Sequence, residues 1–295
     1  MTKQSTLTLF VMTEKGLEFT KQAVSKFRDI ISQVVIGQDA SVINDYSAEI
    51  VAVCEEAGVR HSFRQDFPGV ESEYVIAISW RWMINHPAEK LIVFHDSLLP
   101  RYRGFAPLVS ALINGDTTIG VSALFGASEY DRGDILHQSA LEVAYPITIA
   151  EAITSLTQCY LSLGLKVLEA LASGEPLHAS RQDETQATYS LWRDDDDYRI
   201  DWSLPASKIR RFVDAVGYPY KGALCYVDTC AARVIEAEEV PDVHIENRVA
   251  GKVIFIDDGR PVVVCGQGLL RILRCVADDS GTSVLPLPKF RVRFS

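Results

Sequence analysis

The chain has no C-x-x-C pair and no His/Cys cluster at zinc spacing. Its six cysteines (Cys54, Cys159, Cys225, Cys230, Cys265 and Cys275) stand singly among apolar neighbours. This excludes a disulfide scaffold or a zinc module, and the expectation is reduced packing residues. A basic excess is also missing. The formal net charge of -10 disfavours nucleic acid as a partner, because a phosphate-binding surface wants clustered Lys and Arg. No apolar run approaches the ~20 residues of a membrane span, and no N-terminal segment combines a basic start, a long apolar stretch and a small-residue cleavage site. A soluble, cytoplasmic protein with no membrane partner is therefore expected. There is no internal repeat, and the only biased segment is Asp194 to Asp197. That run is expected to be a solvated acidic loop, without metal, because cation sites need several oxygen ligands in defined geometry.

The 295 residues are 47% hydrophobic, enough for one large domain and one small one. In the first half, strand and helix signals alternate. Ser5 to Met12, Gln33 to Ile36, Tyr74 to Ile78 and Leu91 to Phe94 are short apolar runs. Lys15 to Phe27 carries apolar residues at helical spacing, and Asn44 and Asp45 can cap a helix that runs through Tyr46, Ile50, Val53 and Cys54 and ends at Gly58. Near-continuous apolar strands mark a parallel sheet covered on both faces. Pro107 opens a further helix closed by Asn114-Gly115-Asp116. Thr118 to Phe125 and Ile135 to Val143 are strand candidates, and Ile149 to Leu171 is a long helix. After about Ser180 the composition turns polar. Ser207 to Val216 is a short amphipathic helix, and from Ala223 short strand candidates alternate with Gly turns. The fold class expected is α/β: a doubly wound, mainly parallel, Rossmann-like sheet over residues 1–180, a linker over 181–205 and a small β-rich domain over 206–295. The apolar C-terminal strands offer a surface for self-association as a homodimer.

The run His95-Asp96-Ser97-Leu98-Leu99-Pro100-Arg101-Tyr102-Arg103-Gly104 carries the chemistry, answered by Asp131-Arg132-Gly133-Asp134. An imidazole at the end of an apolar strand, followed by a Pro/Gly loop and then an acidic turn, presents a proton-handling pair at a sheet's edge, where such sheets bind ligands. Asp96 points to the other face if the strand continues. Ser97 has two readings, a local turn cap or a substrate contact. Asp134 is expected to orient its turn. The turn Met12 to Gly16 lies at the first strand-to-helix junction, where backbone N–H groups together with Thr13 and Lys15 can receive a substrate phosphate; the plainer alternative is an ordinary β-to-α turn.

With Ala106-Pro107, Gly115-Asp116 and Gly120-Val121 added, these residues resemble the formyltransferase family that uses 10-formyltetrahydrofolate, including the 36 positions that separate His95 from Asp131. The resemblance implies a catalytic domain over roughly residues 1–175, followed by a small open, OB-like β-barrel. It implies His95 and Asp131 as catalytic residues, 10-formyltetrahydrofolate as cosubstrate and no metal. Ser79-Trp80-Arg81-Trp82-Met83-Ile84, Tyr189-Ser190-Leu191-Trp192-Arg193-Asp194 and Ile200-Asp201-Trp202 are most similar to the branch that formylates amino sugars carried on nucleotides, of pseudaminic-acid type. On that reading the substrate is a small nucleotide sugar destined for polysaccharide biosynthesis. Trp80, Arg81, Trp82, Leu98, Phe125, Gly126 and Tyr130 would hold the folate, with Thr13, Lys15, Ser97 and Arg103 on the substrate side. Leu98 and Arg103 can equally serve loop packing, and Trp80 and Trp82 the core.

One departure stands out. The family places an Asn two positions before the catalytic His, and here that position is Val93, which cannot donate a hydrogen bond. Asn85 is a poor substitute, beside Pro87 at a loop edge. Two alternatives to the sugar reading follow: a methionyl-tRNA formyltransferase, with Arg210, Arg211, Arg271, Arg274, Arg291 and Arg293 as candidate tRNA contacts, or a non-catalytic folate or nucleotide-sugar binding protein motivated by Val93.

Overall fold

The computed structural model describes residues 6–295, so the start of the expected first strand at Ser5 lies outside the described residues. The described chain divides into two compact units: one formed by residues 6–108, 118–143 and 152–191, the other by 109–117, 144–151 and 192–295.

The first unit is built on a seven-stranded sheet. In chain order the elements are β1 (Leu7–Val11), α1 (Thr13–Phe27), β2 (Ile31–Ile36), α2 (Ser47–Glu56), β3 (His61–Phe63), β4 (Tyr74–Ile78), β5 (Leu91–His95), β6 (Arg103–Gly104), α3 (Pro107–Asn114), β7 (Thr118–Phe125), β8 (Ile135–Glu142), α4 (Ile149–Ser173) and β9 (Tyr189–Ser190). The helices α3 and α4 each contribute residues to both units. The sheet runs β3-β2-β1-β4-β5-β7-β8. It is parallel from β3 to β5 and antiparallel where β7 joins β5 and β8 joins β7. All five residues of β1 are buried, as are Val75 to Ile78 of β4, because β-branched and aromatic side chains fill a pleated surface covered on both faces. Removing each Val, Leu or Ile from water contributes roughly 1.5–3 kcal/mol.

The order matters for function. The strand β1 pairs with β2 on one side and β4 on the other, so the direction of winding reverses there, the point at which sheets of this kind bind ligands. Thr13, just after β1, has φ of 62°. Tyr46, expected inside the second helix, is instead its left-handed N-cap, while Asp45 accepts from the Ser47 amide at 2.9 Å. Beneath the sheet, Phe19 of α1 packs edge-on against Phe94, and Phe94 stacks on Tyr160 of α4. Gly164 leaves the space that Phe19 occupies, since a Cβ there would come within 2.4 Å of that ring.

The second unit holds α5 (Ala206–Ala215) and the strands β10 (Ala223–Val227), β11 (Cys230–Val240), β12 (Val253–Asp257), β13 (Arg260–Val264) and β14 (Leu269–Ala277), in an antiparallel sheet ordered β10-β11-β14-β13-β12. Five of the cysteines are buried as expected, and Cys230 is exposed because it falls at the tip of the β10–β11 hairpin. Among the described residues no helix is long and apolar enough to cross a membrane.

Candidate active site

All the residues that follow belong to the first unit. His95 closes β5 and is 7% exposed. The loop after it is clamped rather than loose. The Ser97 hydroxyl donates to the Arg101 carbonyl at 2.6 Å, and the Ser122 hydroxyl of β7 donates to the Ser97 carbonyl at 2.7 Å while receiving the Leu99 amide at 3.0 Å. The chain then turns through Tyr102 at φ 58°, which aims its carbonyl at the imidazole: His95 Nε2 meets that oxygen at 2.7 Å. A carbonyl only accepts, so Nε2 carries a proton and Nδ1 is the edge left for chemistry.

Asp131 stands opposite. Its Oδ1 is 3.4 Å from His95 Nδ1, and its Oδ2 accepts the Gly104 amide at 2.8 Å. The residue has φ of 57°, a left-handed conformation that a non-glycine residue adopts only under constraint. At 3.4 Å the contact is longer than a strong charge-assisted hydrogen bond.

A small pocket of about 70 Å³ opens beside Asp131. Ala77 of β4 and Leu91 and Val93 of β5 line it from one face of the sheet. Trp80 and Trp82 form one wall, and the segment from Phe125 to Tyr130 the other. Trp80 and Trp82 contact each other edge to face at 5.0 Å, although β4 has ended before them. Trp80 Nε1 is buried without a hydrogen-bond partner among the described residues. A buried N–H of this kind costs free energy unless a ligand or water accepts from it. Tyr130, packed on Phe105 at 5.3 Å, stands half-exposed at the rim. The lining includes Asp131 but not His95, so the imidazole reaches this space through its carboxylate partner. Val93, on the same face of β5 as His95, presents methyl groups where the expected pattern has an amide.

Several expected ligand contacts are engaged elsewhere. Arg81 pairs with Asp39 at 2.6 Å and lies over the Trp82 ring, outside the pocket lining. Leu98 packs over Gly120, where a Cβ would come within 2.5 Å of it. Ser97 closes its own turn, the local reading of that hydroxyl. Lys15, expected to meet a phosphate, is buried and donates to Asp96, which also accepts from the Tyr160 hydroxyl. Burial raises the Asp96 carboxyl, but the Lys15 charge and these two donors outweigh it and hold the group below the usual carboxylate range. Burial and the adjoining Asp96 push the Tyr160 phenol well up, so it stays a donor. Thr13 keeps a buried hydroxyl with no partner among the described residues.

Arg103 is fully buried, and all three guanidinium nitrogens are committed: Nε and Nη2 to Gln182 Oε1 at 3.1 and 2.7 Å, Nη1 and Nη2 to Glu184 at 2.9 and 2.8 Å. It has no donor face left for a substrate. Gln182 and Glu184 have no motif around them in the sequence, and the polar stretch expected to be a linker runs at its start along the site instead. There Thr188 receives the Tyr102 amide on its hydroxyl and the Arg103 amide on its carbonyl, each at 2.9 Å, and β9 pairs with β6.

The fold and the site define an α/β group-transfer enzyme, with a His–Asp pair beside an apolar pocket on one face of its sheet. Residues 71–167 match the formyl transferase family and residues 193–281 its C-terminal domain. The chain is 30% identical over 228 residues to the methionyl-tRNA formyltransferase of Syntrophomonas wolfei, covering 76% of this chain and 71% of that protein. The fold is also similar to the N-formyltransferase of Helicobacter canadensis solved with folinic acid and dTDP-3-aminofucose: TM-score 0.70, 12% identity, 91% of this chain and 98% of that one. A sugar 3N-formyl transferase, WlaRD, solved with dTDP and 5-N-formyl-THF, gives a TM-score of 0.68 at 14% identity over 91% of this chain and 97% of that one. The chain belongs to the formyl transferase family and is a formyl-transfer enzyme.

Proposed function

We propose that the enzyme moves a formyl group from 10-formyltetrahydrofolate to the primary amine of a nucleotide-linked amino sugar, with His95 and Asp131 as the proton-handling pair. The observation that carries this reading is Asp131 lining an apolar pocket while touching the His95 ring at 3.4 Å. The pocket suits a flat heteroaromatic donor: Trp80, Trp82, Leu91 and Phe125 supply apolar walls. When bound, the folate supplies the formyl carbon as electrophile.

The chain's own groups do the rest. With Nε2 pinned to the Tyr102 carbonyl, the ring is fixed in orientation, and a protonated His95 donates from Nδ1 toward the oxygen on which negative charge builds. The Asp131 carboxylate takes up the proton leaving the amine, and that proton returns to the tetrahydrofolate nitrogen as its bond to the formyl carbon breaks and tetrahydrofolate leaves. Gly104 N–H, bound to Oδ2 at 2.8 Å, keeps Oδ1 turned to the imidazole. Valine at position 93 contributes no donor, which leaves His95 as the principal one.

The sugar substrate is supported by the two sugar-directed neighbours whose chains align almost end to end with this one and by the net charge of -10, which repels tRNA phosphates. The 30% identity to a methionyl-tRNA formyltransferase supports the second reading, tRNA as acceptor. Incubation with 10-formyltetrahydrofolate and either a panel of nucleotide amino sugars or methionyl-tRNA, with mass detection of the formyl adduct, separates them. A formylated sugar is expected. Formyl-methionyl-tRNA as the sole product would replace the sugar reading, and donor binding without any product would remove the catalytic one.

A further inference from the structure

We infer that Gln182 is a positioning residue for Asp131, an inference that rests on the catalytic reading of Asp131 above. The Gln182 side-chain amide sits between two kinds of partner. Its Nε2 donates to the main-chain carbonyls of Asp131 at 2.8 Å and Gly133 at 2.7 Å, and its Oε1 receives Arg103 through Nε and Nη2. The orientation of the amide is forced, because carbonyls only accept and a guanidinium only donates. Only a primary amide satisfies both sides, and it does so in the interior, where Gln182 is 7% exposed and Arg103 0%.

The geometry explains why such a clamp is needed. Asp131 occupies a left-handed backbone conformation that an unconstrained L residue leaves readily. Its carboxylate points at His95 only while its main chain keeps that conformation, and the Gln182 bond falls on the Asp131 carbonyl itself. A second tie holds the next residue: Arg132 reaches Glu184 at 3.2 Å, and Glu184 is also the outer partner of Arg103. A run of hydrogen bonds therefore leads from the buried Arg103 through Gln182 to the acidic turn. Arg103 acts on the reaction through that turn and touches no substrate. Displacement of a reacting group by about 1 Å costs on the order of 10²-fold in rate, so the clamp is read in kcat rather than in binding.

The test compares Gln182→Glu, which keeps volume and the acceptor for Arg103 but removes both N–H donors, with Asp131→Ala and the double variant. The kinetic assay uses 10-formyltetrahydrofolate and the acceptor that gives product in the assay above. The second readout is the ¹⁵N spectrum of the His95 ring in the substrate-free protein. Gln182→Glu is expected to lower kcat by about 10- to 100-fold with both KM values within about twofold, to move the Nδ1 resonance toward its position in Asp131→Ala, and to add no further loss in the Asp131→Ala background. Losses that multiply in the double variant, or a His95 spectrum identical to wild type, would overturn the inference while leaving the role of Asp131 standing. A near-normal rate for Asp131→Ala alone would bring down the underlying reading, and this one with it. Should Gln182→Glu fold poorly, Gln182→Leu, which also lacks both donors, is held to the same spectral and kinetic outcomes.

Discussion

His95 and Asp131 meet through one ring nitrogen only: Nδ1 lies 3.4 Å from Asp131 Oδ1, while the opposite edge of the ring is tied at 2.7 Å to a main-chain carbonyl. The imidazole is thereby held between two acceptors and cannot flip without losing one of them. His95→Ala removes the Nδ1 donor and is expected to lower kcat by roughly 10²- to 10³-fold, as deletion of an oxyanion donor does. Circular dichroism and the thermal midpoint should show a folded protein. A rate near wild type would take His95 out of catalysis.

Val93 shares the β5 face with His95 and lines the pocket. Val93→Asn places an amide where a donor toward the formyl oxygen is missing, so the rate is expected to rise or stay level. Because Val93 also packs against the apolar cluster around Phe10 and Leu91, a stability loss of about 1–2 kcal/mol is expected from a partly unpaired amide. A sharp fall in rate in a stably folded variant would show that the pocket needs an apolar contact at this point.

The strands of the large sheet were legible because their signals are local. Tyr74–Ile78 and Thr118–Phe125 are apolar runs ended by turn residues, and their observed bounds coincide with those runs. Pro107 and Asn114 bracket α3 for the same reason. Cationic side chains misled. Lys15 and Arg103 each read as ligand-facing from their places in a turn and a loop, yet Asp96 and Glu184, 81 positions away in both cases, take up their charge. Trp80 and Trp82 stand at alternate positions, which on a strand would share one face. Both do line the pocket, by edge-to-face packing in a loop after β4. The pairing of β6 with β9 is two residues long, too short for any periodicity to announce.

The Lys15–Asp96 pair offers a direct way to separate a structural lysine from a phosphate ligand. Lys15→Met leaves a buried carboxylate beside Tyr160 without its cation, and a loss of about 3 kcal/mol is expected. Adding Asp96→Asn should recover much of it, as measured by urea unfolding. A large rise in substrate KM at unchanged stability would instead return Lys15 to the substrate.

Acid stability should show the Arg103 clamp. Hydrogen bonding from Arg103, with its charge and that of Arg132, pulls the Glu184 carboxyl from 4.5 down to about 2. A folded-state value below the unfolded one means that the pairing stabilises the protein above pH 4.5 and is lost as pH falls toward about 2. Glu184→Gln is therefore expected to be less stable than wild type at neutral pH and to show a shallower decline over that window, with the two curves converging at its acid end. Parallel denaturation curves across the window would refute the assignment.

Gly133 sets the last condition on the turn that carries Asp131. A Cβ built there falls 1.8 Å from the Phe125 carbonyl oxygen and 2.7 Å from its carbon. Both are backbone atoms of the strand end, and the Phe125 amide donates to the Asp134 carbonyl at 2.9 Å. The neighbour cannot yield as a flexible side chain would. Gly133→Ala must push residues 131–134 away from β7, which breaks the Gln182 bond to the Gly133 carbonyl and withdraws the Asp131 carboxylate from His95. A stability loss of about 3 kcal/mol, well beyond an ordinary surface change, is expected, together with a kcat loss at least as large as that of the Gln182 variants. Gly259→Ala supplies the control, since that glycine has φ of 72° but nothing within 4 Å of its Cβ position. Its cost is the backbone term alone, about 1 kcal/mol, with no change in kcat. Equal penalties at the two positions would mean that crowding against Phe125 does not hold the turn in place.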